Sequence, residues 1–174
     1  REGSWTAYGR GWGEAATAPY RELKGSLYSG GTLAATFVNH NSIKNSGGFD
    51  RRYLTVMDIL PTFLDIANMN EMETGESPPV RGRSFWKQLQ GEDIPVHDKS
   101  ESIPWMTSET KQALVRWPWK IIQIQSDDDD ANTLTGDRNK WLLFNLVDDP
   151  GETINLANQY PKIQSELIAQ WLKL

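Results

Sequence analysis

The run Ala113-Leu114-Val115-Arg116-Trp117-Pro118-Trp119-Lys120-Ile121-Ile122-Gln123-Ile124 decides the fold of the second half of the chain. Two short apolar segments, rich in β-branched and aromatic residues, meet at a single Pro, the pattern of two strands turning back on each other. Trp141-Leu142-Leu143-Phe144-Asn145-Leu146 reads as a third strand, and Asp149-Pro150-Gly151-Glu152 after it holds both turn formers. Pro161 opens a helix, because the first turn does not need the N–H that Pro lacks, and Ile163, Leu167, Trp171 and Leu174 share one face. Three strands and one amphipathic helix predict a small two-layer α+β unit over 103–174.

Moving toward the N-terminus, Glu92–Ser102 is a polar loop and the natural boundary of that unit. Ser84 caps a short predicted helix, Phe85–Gln90, which Gly91 stops. A clearer helix starts at Asp58, a good N-cap, with Pro61 in its first turn and Leu60, Phe63, Leu64 and Ala67 on one face. Thr32–Val38, preceded by Gly30-Gly31, reads as a strand buried on both faces, as in parallel sheets. The first nineteen residues are rich in Gly and Trp without a period of 2 or 3.6, so an ordered loop is predicted there. Gly11-x-Gly13-x-x-Ala16 touches a dinucleotide fingerprint but lacks the strand that must precede it.

The sequence has 174 residues, enough for one domain, or one with a small appendage. With no Cys it excludes disulfide scaffolds, Cys-ligated zinc, iron–sulfur clusters and thiol catalysis. Its 18 basic and 23 acidic residues give a net charge of −5, which argues against nucleic acid as a partner, since that needs a basic patch. No apolar run approaches the roughly 20 residues that span a bilayer, so no membrane partner is expected. The compartment is not readable; a periplasmic or extracellular setting is slightly preferred to a cytoplasmic one. Opening at Arg1-Glu2-Gly3, the sequence reads as a piece of something longer.

Few constellations carry chemistry. Asp127–Asp130 invites a calcium loop, but the Gly and final Glu positions of an EF-hand hold Thr133 and Asn139, so a solvated acidic loop is the reading. Trp117, Trp119, Trp141 and Trp171 fall inside predicted elements and read as core, whereas Trp5 and Trp12 stay open as a sugar-stacking surface. His40 and His97 read as surface residues, and there is no Gly-x-Ser-x-Gly elbow. The segment Pro19-Tyr20-Arg21-Glu22-Leu23-Lys24, ahead of Gly30-Gly31, differs: two cations beside a Gly-rich loop form either an oxyanion clamp or a pair of solvated charges.

Five stretches, in order, resemble the sulfatase family. Gly11-Trp12, Pro19-Tyr20-Arg21-x-x-Lys24 and Gly30-Gly31 resemble its Gly-Trp…Pro-Phe-Arg-x-x-Lys…Glu-Gly-Gly segment, and Asp58–Ala67 resembles its Asp-Ile-x-Pro-Thr-Leu-Leu-Asp-Leu-Ala helix. Arg81-Gly82-Arg83-Ser84 resembles its Gly-x-Ser-Leu turn, and Arg116–Lys120 its Arg-x-Gly-x-Trp-Lys. Phe144–Ala157 resembles the closing Tyr-Asn-Leu-x-x-Asp-Pro-Gly-Glu-x-x-Asn-Leu-Ala. The likeness is to the C-terminal portion of bacterial-type arylsulfatases.

That resemblance implies an alkaline-phosphatase-like α/β fold ending in an α+β subdomain of antiparallel sheet and helix. Residues 1–102 would be the end of the main domain and 103–174 the subdomain. It implies a sulfuric ester hydrolase using a formylglycine nucleophile and Ca²⁺, acting on a sulfate-ester small molecule or sulfated glycan. The nucleophile and metal ligands match nothing in this chain, so the rest of a sulfatase chain is the implied partner and the segment alone should be inactive. Lys24 alone carries over as a catalytic-site residue, contacting sulfate oxygens, while Arg21 reads as structural. Ser29 stands where the family has Glu, and Ala35 and Asn41 replace usual prolines. Two other functions stay open: a non-catalytic glycan- or anion-binding module, and a phosphodiesterase or phosphonate hydrolase of the same superfamily.

Overall fold

The computed structural model describes residues 9–44, 47–69, 79–108, 111–124 and 140–174. The acidic run at 127–130 and Trp5 lie outside them. The chain divides into two compact units, Arg1–Ala35 with Ser100–Leu174, and Thr36–Lys99.

The first unit is built on an antiparallel sheet in the order β1 (Ile103–Ser108), β2 (Lys111–Arg116), β3 (Trp119–Ile124) and β4 (Leu142–Asn145). The predicted hairpin pairs Val115 with Lys120 and Ala113 with Ile122, turning at a cis Trp117–Pro118 peptide. Trp117, expected in a strand, therefore lies on the turn and is exposed. β4 matches the predicted third strand, with Phe144 opposite Lys120. β1 is not among the three predicted strands; it is an edge strand, where the N–H that Pro104 lacks is tolerated. At the other edge, Leu156 donates its N–H to Leu143 O at 2.8 Å, and Asn155 Oδ1 accepts from Leu143 N at 3.1 Å. The edge is thereby covered rather than left to pair with another chain.

Both faces of this sheet are buried. α5 (Pro161–Trp171) lays Leu167 onto Leu114, Ile121 and Leu143, with Trp119, Trp141 and Trp171 packed around them. On the opposite face Leu27 and Tyr28 pack onto Ala113, Ile122, Leu142 and Phe144. The sequence carries a sign of this: Leu114-Val115, Ile121-Ile122 and Leu142-Leu143-Phe144 are consecutive apolar residues rather than alternating ones.

Two N-terminal expectations are corrected. The predicted loop contains α1 (Arg10–Thr17), which Ala15-Ala16 and the Arg10–Glu14 pair, one helical turn apart at 2.9 Å, favour despite two Gly. The predicted strand Thr32–Val38 is not one. A single helical turn, α2 (Ser29–Thr32), is followed by chain without a strand partner among the described residues, and Phe37 is 95% exposed.

In the second unit a 3₁₀ turn at Val56–Asp58 runs into α3 (Ile59–Ile66), as predicted, and α4 (Trp86–Leu89) follows. Asp58 does not cap α3. Its buried carboxylate reaches back to accept Thr55 N at 2.6 Å, and across to accept Arg83 N at 2.8 Å. His97 Nε2 lies 2.8 Å from the same carboxylate, so the side chain of the expected surface His is instead largely enclosed, 7% exposed. His40 is exposed, edge-on to Trp86. Thr62 Oγ1 accepts Phe85 N at 3.0 Å, and a Cβ on Gly82 would meet Met57 O at 1.9 Å. Two of the resembling stretches, Asp58–Ala67 and Arg81–Ser84, thus form one backbone joint.

Burial alone would raise the Asp58 carboxyl, but hydrogen bonds from Arg83 N, His97 and Thr55 N outweigh it and hold it below its ordinary 3.8. A carboxyl depressed in the folded state adds stability above its unfolded pKa, and loses it as pH falls through the folded one. Asp58→Asn should therefore flatten the acid limb of stability against pH, read by urea unfolding below about pH 5. An unaltered slope would contradict this role.

Candidate anion-binding site

Lys24 sits in a loop that closes on itself. Gly30 N donates to Arg21 O at 2.8 Å, forming a neck, and Ser26 N donates to Leu23 O at 3.1 Å within it. Thr17 Oγ1, at the end of α1, donates to Glu22 O at 2.6 Å, and Ser26 Oγ donates to the Glu22 carboxylate. The neck is tight enough to require glycine, since a Cβ on Gly30 would lie 2.0 Å from Glu22 O and 2.4 Å from Arg21 O. The close backbone approach expected of Gly30-Gly31 is present, but at a helical turn and not before a strand. Gly30→Ala should open the neck at a cost of about 1–3 kcal/mol, measurable by urea unfolding. A variant of wild-type stability would show that the neck is not tight.

The two cations of this segment part company. Arg21 stacks over the Tyr28 ring, 4.2 Å from its centroid, and its Nη1 donates to Glu152 O at 3.4 Å. That is the structural task expected of it. Tyr28, buried beneath, has its hydroxyl pKa pushed up to about 12 by burial, against the opposing pull of Arg21. Lys24 is exposed, and among the described residues it makes no hydrogen bond, ion pair or ring contact. An open groove of about 260 Å³ beside the loop is lined by Arg10, Glu14, Tyr20, Arg21 and Glu22. Trp12, kept open as a stacking surface, is 74% exposed on α1.

Beneath the loop lies a pair of charges that sequence reasoning gave no role. Lys120 Nζ and Glu152 Oε1 are 2.8 Å apart, and both side chains are almost wholly out of water. Burial pushes the Lys120 ammonium below its ordinary 10.5, while the Glu152 carboxylate pulls the other way. Oε2 of Glu152 accepts Ser29 N at 2.5 Å. The Asp149-Pro150-Gly151-Glu152 turn aims it: Asp149 Oδ2 accepts Thr153 N at 2.7 Å and Ile154 N at 2.8 Å, and Glu152 adopts φ +52°. One sequence signal was there to find, because Lys120 is in phase with Ile122 on a strand buried on both faces.

Calcium does not fit these residues. Among the described residues no three His, Cys, Asp or Glu side chains come together as a metal cage. A Cys-derived formylglycine has no precursor here either, since the sequence contains no Cys.

No protein-family model matches the chain. An uncharacterized sulfatase of the yeast Schizosaccharomyces pombe is 30% identical over 169 residues, which cover 95% of this chain and 29% of that protein. Arylsulfatase J of Mus musculus is 24% identical over 198 positions, covering 94% of this chain and 31% of its own. The match is to sulfatases, in their C-terminal region. The chain thus spans about three-tenths of the length of these curated sulfatases. Solved structures with partial likeness include one from glycosaminoglycan metabolism in Bacteroides thetaiotaomicron, at TM-score 0.45 and 23% identity over 67% of this chain and 23% of that one. Another, solved with its substrate D-glucosamine-2-N,6-O-disulfate, has TM-score 0.44 and 22% identity over 67% of this chain and 22% of its own.

Proposed function

We propose that this chain forms the C-terminal part of an arylsulfatase-like sulfuric ester hydrolase, and that Lys24 holds sulfate oxygens of its substrate. The observation that carries the assignment is Lys24 itself: an exposed ammonium without a partner among the described residues, on a loop closed by the Gly30 N to Arg21 O hydrogen bond. In sulfate-ester hydrolysis negative charge builds on the non-bridging oxygens, and a cation held there in advance stabilises the transition state more than the ground state. A compact ammonium on a loop closed by its own hydrogen bonds suits that task.

In this reading 1–102 ends an alkaline-phosphatase-like main domain and 103–174 is its α+β subdomain. The nucleophile and the calcium ligands belong to sequence outside the chain. The apolar residues that the second unit leaves in water favour such a partner segment: Phe49 is 97% exposed, Val56 73% and Phe63 63%. Among the described residues no helix is long and apolar enough to cross a membrane. A periplasmic or extracellular setting and a sulfated sugar or aryl sulfate as substrate complete the proposal.

The test offers p-nitrophenyl sulfate, bis(p-nitrophenyl) phosphate and a phosphonate ester to the product of the complete gene and to the 174-residue chain. Sulfate turnover by the former and none by the latter is expected. Turnover of the phosphorus esters alone would move the protein to a phosphoryl or phosphonyl hydrolase. Glycan binding with no turnover of any ester would make it a binding module.

A further inference from the structure

Glu152 touches the Lys24 loop on both sides of its neck. Its carboxylate accepts Ser29 N at 2.5 Å on the outgoing side, and its carbonyl accepts Arg21 Nη1 at 3.4 Å on the incoming side. Gly30 N to Arg21 O, at 2.8 Å, closes the neck between those two contacts. The carboxylate's remaining oxygen is engaged by Lys120, from the centre of the sheet. A non-glycine residue at φ +52° is uncommon, so the turn holds Glu152 in this conformation against its own preference. The result is a continuous chain of contacts from β3 through Glu152 to the base of the loop, with both charged side chains out of water. Ser29 takes part through its amide, so having Ser where the resembling pattern has Glu leaves the contact intact.

We propose that Glu152 is a positioning residue: backed by Lys120, it clamps the neck of the 21–30 loop and so fixes where Lys24 presents its ammonium. This deepens the sulfatase reading above and rests on it for the task of Lys24. A lysine on an unclamped loop would spend much of its time away from the sulfate oxygens, and displacement of a catalytic group by about 1 Å is enough to lower rates up to 10²-fold.

The test uses the complete gene product and avoids stranding a buried charge. Lys120→Met with Glu152→Leu removes both charges and the acceptor for Ser29 N. Lys120→Met with Glu152→Gln removes the charges and keeps an acceptor. Each pair is made with Lys24 intact and with Lys24→Ala. The readouts are amide hydrogen exchange across 27–32 and kcat/KM with p-nitrophenyl sulfate.

The Met/Leu pair should speed exchange in 27–32 and lower kcat/KM by about tenfold or more with Lys24 present, but by less than about twofold with Lys24→Ala. The Met/Gln pair should restore most of the loss. Equal losses in both backgrounds would make Glu152 a merely structural residue and overturn the proposal, as would unaltered exchange. If the Met/Leu protein fails to fold, the Met/Gln pair decides. Its neutral hydrogen bond is weaker than one to a carboxylate, so 27–32 should still exchange faster than wild type, and unaltered exchange would again overturn the clamp. Wild-type rates for Lys24→Ala would discard the sulfatase role of Lys24, whereas the exchange measurement would still uphold or overturn the clamp.

Discussion

Replacing Lys120 by Met while Glu152 stays should destabilise the sheet unit by about 3–5 kcal/mol. Both side chains are all but fully buried, so the single substitution leaves a carboxylate out of water with its cation gone. The hydrogen bond from Ser29 N offsets only part of that. The cost is one of broken compensation, not of a lost contact. Changing both residues, Lys120→Met with Glu152→Gln, should accordingly cost much less than the single change, because no unpaired charge remains. Arg116–Glu166, 3.1 Å apart with Glu166 61% exposed, is the contrast within the same unit. Glu166→Ala should cost well under about 1 kcal/mol, as exposed pairs do. Urea unfolding followed by Trp fluorescence measures all three. A Lys120→Met protein as stable as wild type would mean that the pair is not sealed from water.

Lys24→Ala should lower kcat/KM for an aryl sulfate by about 10²–10³-fold in the complete gene product, with stability unchanged. The kinetic loss follows from removing a cation where charge develops. The unchanged stability follows from the exposure of Lys24 and its lack of partners among the described residues. Lys24→Arg would keep the charge but replace a compact ammonium with a planar fork, and should recover part of the rate. An unaltered kcat/KM in Lys24→Ala would remove Lys24 from the site and leave its loop a structural feature.

The hairpin at Pro118, the third strand and the final helix were legible because each is a local pattern: apolar runs of strand length, a turn former between them, and a helical stripe. α3 was legible for the same reason. The errors fall where local pattern and long-range contact disagree. Thr32–Val38 has strand composition, but composition cannot supply a neighbouring strand. β1 holds Pro104 and has no alternating apolar pattern, and only its pairing at the sheet edge makes it a strand. α1 is hidden by two glycines whose cost a neighbouring Ala pair and an ion pair offset. His97 looked like a surface residue because its partner, Asp58, lies thirty-nine positions away.

The candidate site divides along the same line. The segment that bears Lys24, and its likeness to sulfatases, can be read in the order of the residues, because both depend on residue type and spacing alone. The resemblance set Arg21 apart from Lys24, but that Arg21's partners are the Tyr28 ring and the Glu152 carbonyl could not be read there. Nor could the burial of Lys120 against Glu152, or the grip of that carboxylate on Ser29 across 123 positions of chain. These depend on which groups folding removes from water together. Desolvation is a property of the packed molecule, and no stretch of sequence displays it.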